Sequence, residues 1–343
     1  HRDNILEDTL LNFFNIDPKH INSNLEIEIT FAGEAGIDQG KFILIAWQLM
    51  AIAFRRSGGL RNEWLTLLTK ELFDPKRGLF KLSANKLSVQ PSPLVTIIPN
   101  GSAYMKLAGR IVGYVKSTLN VHSKLSLSDI SKNQALNVSF TKPFLKQLIG
   151  NLIFISVTLT AFSTEAQISV SDLNDVDPEL FRSLEWLLNN SIEGVIEQNF
   201  AYEFDFLGDY FTISLSEDKS SEVLTDSNKK EYVKKLCQQK LVTEIKEQIN
   251  EFKAGLYEFI PLNILKLFLA PELETLISGK SQIDVEDMQK YMKYEECSPE
   301  ENFIKYFWNV IKSFDQDNLS AFLFFVTGMK CLCFRGLTSK SYE

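Results

Sequence analysis

The side chains best suited to nucleophilic or metal chemistry are four cysteines, Cys237, Cys297, Cys331 and Cys333, and three histidines, His1, His20 and His122. A thiol attacks as its thiolate, so it needs a histidine, a cation or a helix N-terminus to lower its pKa. Cys331 and Cys333 stand in the run KCLCF with no histidine near them in sequence. As a zinc site this Cys-x-Cys pair lacks two further ligands at usable spacing. Cys237 falls on the inward side of a helical pattern and reads as a small core residue. Cys297 sits among Glu295, Glu296, Glu300 and Glu301, whose negative charge would raise a thiol pKa. None of the four is expected to be catalytic or to bind metal.

Other chemistries find no better foothold. Gly279-Lys280-Ser281 ends like a phosphate loop, but Glu274 occupies the place of the first glycine and a helix precedes it. It reads as a helix ending at Gly279, with Asp284 capping the next. The glycine-rich stretch 32–40 (AGEAGIDQG) lacks the Gly-Lys-Ser/Thr ending and reads as a turn. There is no Gly-x-Ser-x-Gly elbow and no His-Glu-x-x-His helix. Glu295 and Glu296 read as solvated surface, and no cofactor is expected.

The bulk properties narrow the partners. Net charge is -8, and the 36 Lys and Arg form no dense block, which argues against nucleic acid. Hydrophobic residues make up 45% and charged residues 23%, the profile of a globular protein able to bury a large core. The few cysteines and the lack of a signal peptide in the given sequence lead to the expectation of a reducing, cytoplasmic setting, with the nucleus also open. The Asn-x-Ser matches at Asn100, Asn137, Asn189 and Asn318 are then chance.

The elements come next. Residues 172–190 (DLNDVDPELFRSLEWLLNN) give the sharpest pattern: Asp177 to cap, Pro178 at the first helical position, then Leu180, Leu184, Leu187 and Leu188 at helical spacing beside Trp186. Helices are also expected over 1–14, with Ile5, Leu6, Leu10 and Leu11 on one face, over 58–74, over 104–119 and over 225–260 as one helix or a pair. Ala108, Gly109 and Gly113 would let a neighbour approach closely. Residues 25–31 and 200–215 alternate as strands, with Phe200, Tyr202, Phe204 and Phe206 sharing a face. The fold class expected is α+β: a mainly helical large lobe with short strands, and a smaller inserted α/β subdomain at about 195–260.

Several of these stretches carry a family resemblance. Asp177, Pro178, Glu179, Leu180, Ser183, Leu184 and Trp186 resemble the DPE-(Leu/Tyr)-x-x-Ser-Leu-x-Trp segment of HECT-type ubiquitin ligases. Phe31, Gly33, Glu34, Gly36, Asp38 and Gly40, then Gly59, Arg61, Glu63, Trp64, Leu67, Leu68, Glu71, Phe73, Asp74 and Pro75, match a second motif in two halves. Further matches fall at 108–113, 140–150, Thr225 to Tyr232, Gly255 to Pro261, 272–284, 307–310 and 325–328. The helices at 108–113 and 140–150 look closest to the apoptosis-resistant ligase type. Two apolar stretches, 41–58 and 151–168, are atypical inserts at motif seams. The first is short for a bilayer span of roughly 20 apolar residues. It reads as an extra core helix, a membrane-touching segment or translated non-coding sequence, the last favoured because its removal rejoins the motif.

The resemblance implies ubiquitin transfer from a conjugating enzyme to a substrate lysine through a cysteine thioester, which splits one hard acyl transfer into two easier ones. It implies residues 1–328 as the large N-terminal lobe and 329–343 as a remnant of the hinge. The family's thioester cysteine lies in a later His-Thr-Cys-Phe-Asn run, which this sequence lacks. The expectation is therefore a truncated chain that docks the conjugating enzyme through an apolar groove on the smaller subdomain, with Phe200, Tyr202 and Phe204 as candidate contacts. Ubiquitin is the second implied partner, and no membrane is. The alternatives are a non-catalytic adaptor or decoy that uses the same surface, and a fragment that does not fold stably.

Overall fold

The computed structural model describes residues 4–17, 59–84, 86–116, 136, 138–150, 168–206, 209–215, 222–279, 283–291 and 301–327. The expected strand at 25–31, the turn at 32–40, the apolar stretches 41–58 and 151–167, the hinge remnant, the three histidines, Lys280, Ser281, Cys297, Cys331 and Cys333 lie outside these residues.

Helices run in chain order as α1 (Ile5–Asn12), α2 (Gly59–Leu72), α3 (Gly101–Lys116), α4 (Lys142–Leu148), α5 (Leu173–Val176), α6 (Pro178–Asn189), α7 (Lys229–Leu241), α8 (Lys246–Tyr257), α9 (Leu262–Leu265), α10 (Ala270–Ser278), α11 (Val285–Tyr291), α12 (Asn302–Lys312) and α13 (Gln316–Thr327). Among the described residues, two antiparallel strand pairs and short 3-10 turns join these helices. β1 (Phe80–Leu82) pairs with β2 (Val89–Pro91), and β3 (Ala201–Phe206) pairs with β4 (Asp209–Ser214). The class is α+β and mainly helical, as expected.

Local chemistry sets the boundaries. Asp74 accepts from the Lys76 amide and starts a short 3-10 turn at Pro75, which Gly78 closes at φ +73°. Asp177 accepts from the Leu180 amide at 2.9 Å, so α6 is capped as its sequence foretells. Asp284 accepts from the Glu286 amide at 2.8 Å and opens α11. In α1, Ile5 and Leu6 are buried, but Leu11 is 68% exposed: the turn ends one face short of the expected stripe.

Three apolar cores organise the described residues. The largest draws on α1 to α4, β1, β2 and α8 to α10, with Leu68, Leu72, Phe80, Phe140, Phe144 and Phe252 fully buried. Phe140, Phe144 and Phe252 meet edge to face, with centroids 5.1 to 5.9 Å apart. At its centre α3 crosses α8 backbone to backbone, because Gly109 and Gly255 carry no Cβ to hold the helices apart. The second core gathers residues from Ile168 to Val242. Packing thus starts and ends this smaller module earlier than the expected 195–260, because Ile245, Ile249, Phe252 and Leu256 point into the large core. A third, small core joins α11, α12 and α13 around Trp308 and Met288.

Candidate docking cleft

The smaller module builds a surface cleft of about 660 Å³ between α6, the loop after it, β3 and α7. Its floor is apolar: Leu184 and Leu187 from α6, Tyr202 from β3, Tyr232 and Leu236 from α7. Leu180, Trp186 and Ile196 form the upper walls, and Trp186 is 46% exposed at the lip. Asp177, Arg182, Glu203 and Lys240 ring the opening. An apolar floor inside a mixed polar rim is the pattern of a protein-binding surface.

The floor is held by polar ties to backbone. Gln198 Nε2 donates to the Tyr232 hydroxyl at 2.8 Å and to the Ala201 carbonyl at 3.2 Å. The Tyr202 hydroxyl donates to Glu244 Oε1 at 2.5 Å. Burial, with Glu244 adding to it, pushes the Tyr202 phenol far above its ordinary pKa, so it stays protonated and donating. Lys240 pairs with Glu244 at 3.2 Å and lies 4.8 Å from the Tyr202 ring centroid and 5.5 Å from that of Phe204. The loop after α6 is pinned by Asp226, which accepts from Ser191 Oγ at 2.5 Å and the Ile192 amide at 3.2 Å.

Each candidate contact now has a place. Phe200 is fully buried and stacks edge to face on Tyr232 at 5.5 Å, beneath the cleft. Tyr202 is 6% exposed and forms floor. Phe204 is half-buried against the same core. The alternating stretch is a hairpin instead of one strand, and Tyr210 and Phe211 on β4 are its exposed aromatics, at 72% and 52%. Trp186, Leu180 and Ile196 are cleft residues that periodicity assigned only to a helix stripe or left unmarked. A tryptophan on an otherwise leucine stripe was the one available signal.

Among the described residues, no three metal-ligating side chains converge, and no helix is long and apolar enough to cross a membrane. Cys237 is fully buried and burial pushes its thiol up to about 12, so it is a core residue without nucleophilic character.

The described residues thus form a helical body that carries a small module with an apolar cleft. The comparisons with known proteins say which family this architecture belongs to. The HECT-domain (ubiquitin-transferase) profile matches residues 66–341, which runs past the last motif at Gly328. The chain is 30% identical over 306 residues to E3 ubiquitin-protein ligase TOM1 of Saccharomyces cerevisiae, covering 89% of this chain and 8% of that protein. Over 304 residues it is 29% identical to the TOM1-like ligase of Neurospora crassa, covering 88% of this chain and 6% of that one. Over 328 residues it is 30% identical to the probable E3 ubiquitin-protein ligase hulA of Aspergillus terreus, covering 95% of this chain and 34% of that one. The chain therefore belongs to the HECT-domain family, and it spans 6% to 8% of the length of the TOM1 and TOM1-like relatives.

Proposed function

We propose that this chain serves ubiquitin transfer as the part of a HECT-type ligase that docks the ubiquitin-conjugating enzyme, and that the cleft of the smaller module receives it. The observation that carries this reading is the cleft floored by the buried Leu184, Leu187, Tyr202, Tyr232 and Leu236, beneath the half-exposed Trp186 and inside a charged rim. A conjugating enzyme would seat one or two apolar side chains on that floor and meet the rim charges around it. Affinity in such interfaces concentrates in a few aromatic anchors, and Trp186 and Tyr202 are this cleft's. Phe200 and Phe204 act from beneath and beside, by holding β3 in place. Ubiquitin arrives as the conjugating enzyme's cargo, and the cytoplasm, where such enzymes work, is the proposed setting.

Titration of the chain with a panel of ubiquitin-conjugating enzymes, followed by calorimetry, tests the reading. Trp186→Ala removes exposed surface at the lip and should weaken binding by about tenfold or more, the cost of losing one anchor, with the melting temperature held. Unchanged affinity in Trp186→Ala and in Leu187→Asp would place the partner elsewhere. Activating enzyme and ubiquitin added to the same mixture, resolved on a non-reducing gel, report whether a thiol-sensitive adduct forms on the chain.

A further inference from the structure

The smaller module joins the large body through two chain crossings, near Ile168 and near Val242, and α4 of the large body holds both. Lys146 Nζ lies 2.9 Å from each carboxylate oxygen of Asp172, in the module's first turn. The two side chains are only 11% and 6% exposed. Asp172 is itself oriented by the Ser169 amide, which donates to Oδ2 at 2.7 Å. The next residue on α4, Gln147, donates from Nε2 to the Leu241 carbonyl at 2.9 Å, at the end of α7. Two adjacent residues of one helix thus grip the entry and the exit of the module.

We infer that Lys146 is a positioning residue: paired with Asp172 and seconded by Gln147, it fixes the angle at which the module presents its cleft to the large body. The physical ground is directionality. Apolar contact across a seam is non-directional and tolerates sliding. A buried ammonium shared between two oxygens tolerates little, because any rotation strands a charge away from water. None of the cleft residues, which lie between Asp177 and Lys240, belongs to this pair. The pair should therefore govern where a docked partner is aimed and leave how tightly it docks alone. That consequence for transfer rests on the docking reading above; the fixed angle does not.

The test uses the full chain with spin labels carried on unnatural amino acids at Leu267 and Val195, both exposed, one on each body. The wild-type distance distribution should be narrow. In Lys146→Met it should broaden, and in the charge exchange Lys146→Asp with Asp172→Lys it should narrow again. Should Lys146→Met fail to fold, the pair Lys146→Met with Asp172→Leu decides, since it leaves no buried charge unpaired. A folded Met/Leu variant with a distribution as narrow as wild type would overturn the proposal. Conjugating-enzyme affinity is the second readout. It should stay within about twofold of wild type in the folded variants, and a loss of about tenfold or more would overturn the positioning role, because the pair would then be holding up the cleft itself. A wild-type chain that binds no conjugating enzyme would sink the docking reading alone, with the distance distributions still deciding the clamp.

Discussion

Arg110 is 2% exposed, yet it carries a charge through the middle of the large body. Its guanidinium donates to the carbonyls of Phe13, Phe14 and Ile16, just beyond α1, and its Nε lies 2.8 Å from Glu258 at the end of α8. One side chain so ties the first helix to the central crossing. Arg110→Met would strip three carbonyls of their donor and leave Glu258, 23% exposed, with Lys106 at 3.0 Å as its cation, so the loss should fall below the ~3–5 kcal/mol of a fully buried pair that loses one partner. Urea denaturation should show that loss, with Arg110→Lys in between because it keeps the charge and loses the fork. Burial also sets the alkaline limit. It pushes Cys237 from 9.0 up to about 12 and Tyr257 from 10.0 up to about 12. Both folded values exceed the unfolded ones, so their contribution is complete below about pH 9 and is lost as pH rises toward 12. The unfolding free energy should fall between about pH 9 and pH 12, by up to about 1.4 kcal/mol per pH unit for each group titrating. Thiol reagents should leave Cys237 untouched until the chain unfolds.

At the scale of elements, the crossing of α3 and α8 opposes two effects of known size. Gly→Ala in a helix gains about 1 kcal/mol by propensity. A Cβ at Gly109 would overlap the Phe252 carbonyl, and one at Gly255 the Lys106 carbonyl. Neither obstacle is a flexible side chain, so the helices would have to part, and overpacking of that kind costs about 1–3 kcal/mol or more. Gly109→Ala and Gly255→Ala should each lower the melting temperature despite better helix propensity, whereas Gly194→Ala, with open space around it and φ +71°, should show only the smaller backbone strain. The small residues Ala108, Gly109 and Gly113 marked this close approach in the sequence, but a helical stripe does not name its neighbour. The same limit explains the hairpin. Alternation from Phe200 to Leu215 does not reveal where one strand ends and the next begins, since β3 and β4 each keep the same period. The capped helix α6 was fully legible, because Asp177, Pro178 and the leucine spacing are local signals. The cleft was not, because it exists only where α6, β3 and α7 meet, and its outer wall is a tryptophan whose apolar character alone pointed inward.

For the whole molecule, the division into three cores of decreasing size implies that stability is uneven along the chain. The large core closes around fully buried Phe80, Phe140, Phe144 and Phe252, and its central helices α3 and α8 should open only with global unfolding. The module has its own core around Phe200, Tyr232 and Leu236, and the α4 clamp couples it to the large one. The helices α11 to α13 rest on a much smaller set led by Met288, Trp308 and Leu323, while α12 leaves Phe303, Tyr306 and Val310 about half or more exposed on its outer face. Native-state hydrogen exchange should rank the amides in that order: slowest in α3 and α8, intermediate in α6 and α7, fastest in α12 and α13. Breaking the clamp sharpens the expectation. Lys146→Met with Asp172→Leu should speed exchange in α6 and α7 and leave α3 and α8 at their wild-type rates, because the large core does not depend on the module's orientation. Equal acceleration in all four helices would mean one cooperative unit, in which the seam between the bodies is ordinary core and the module has no orientation of its own to fix.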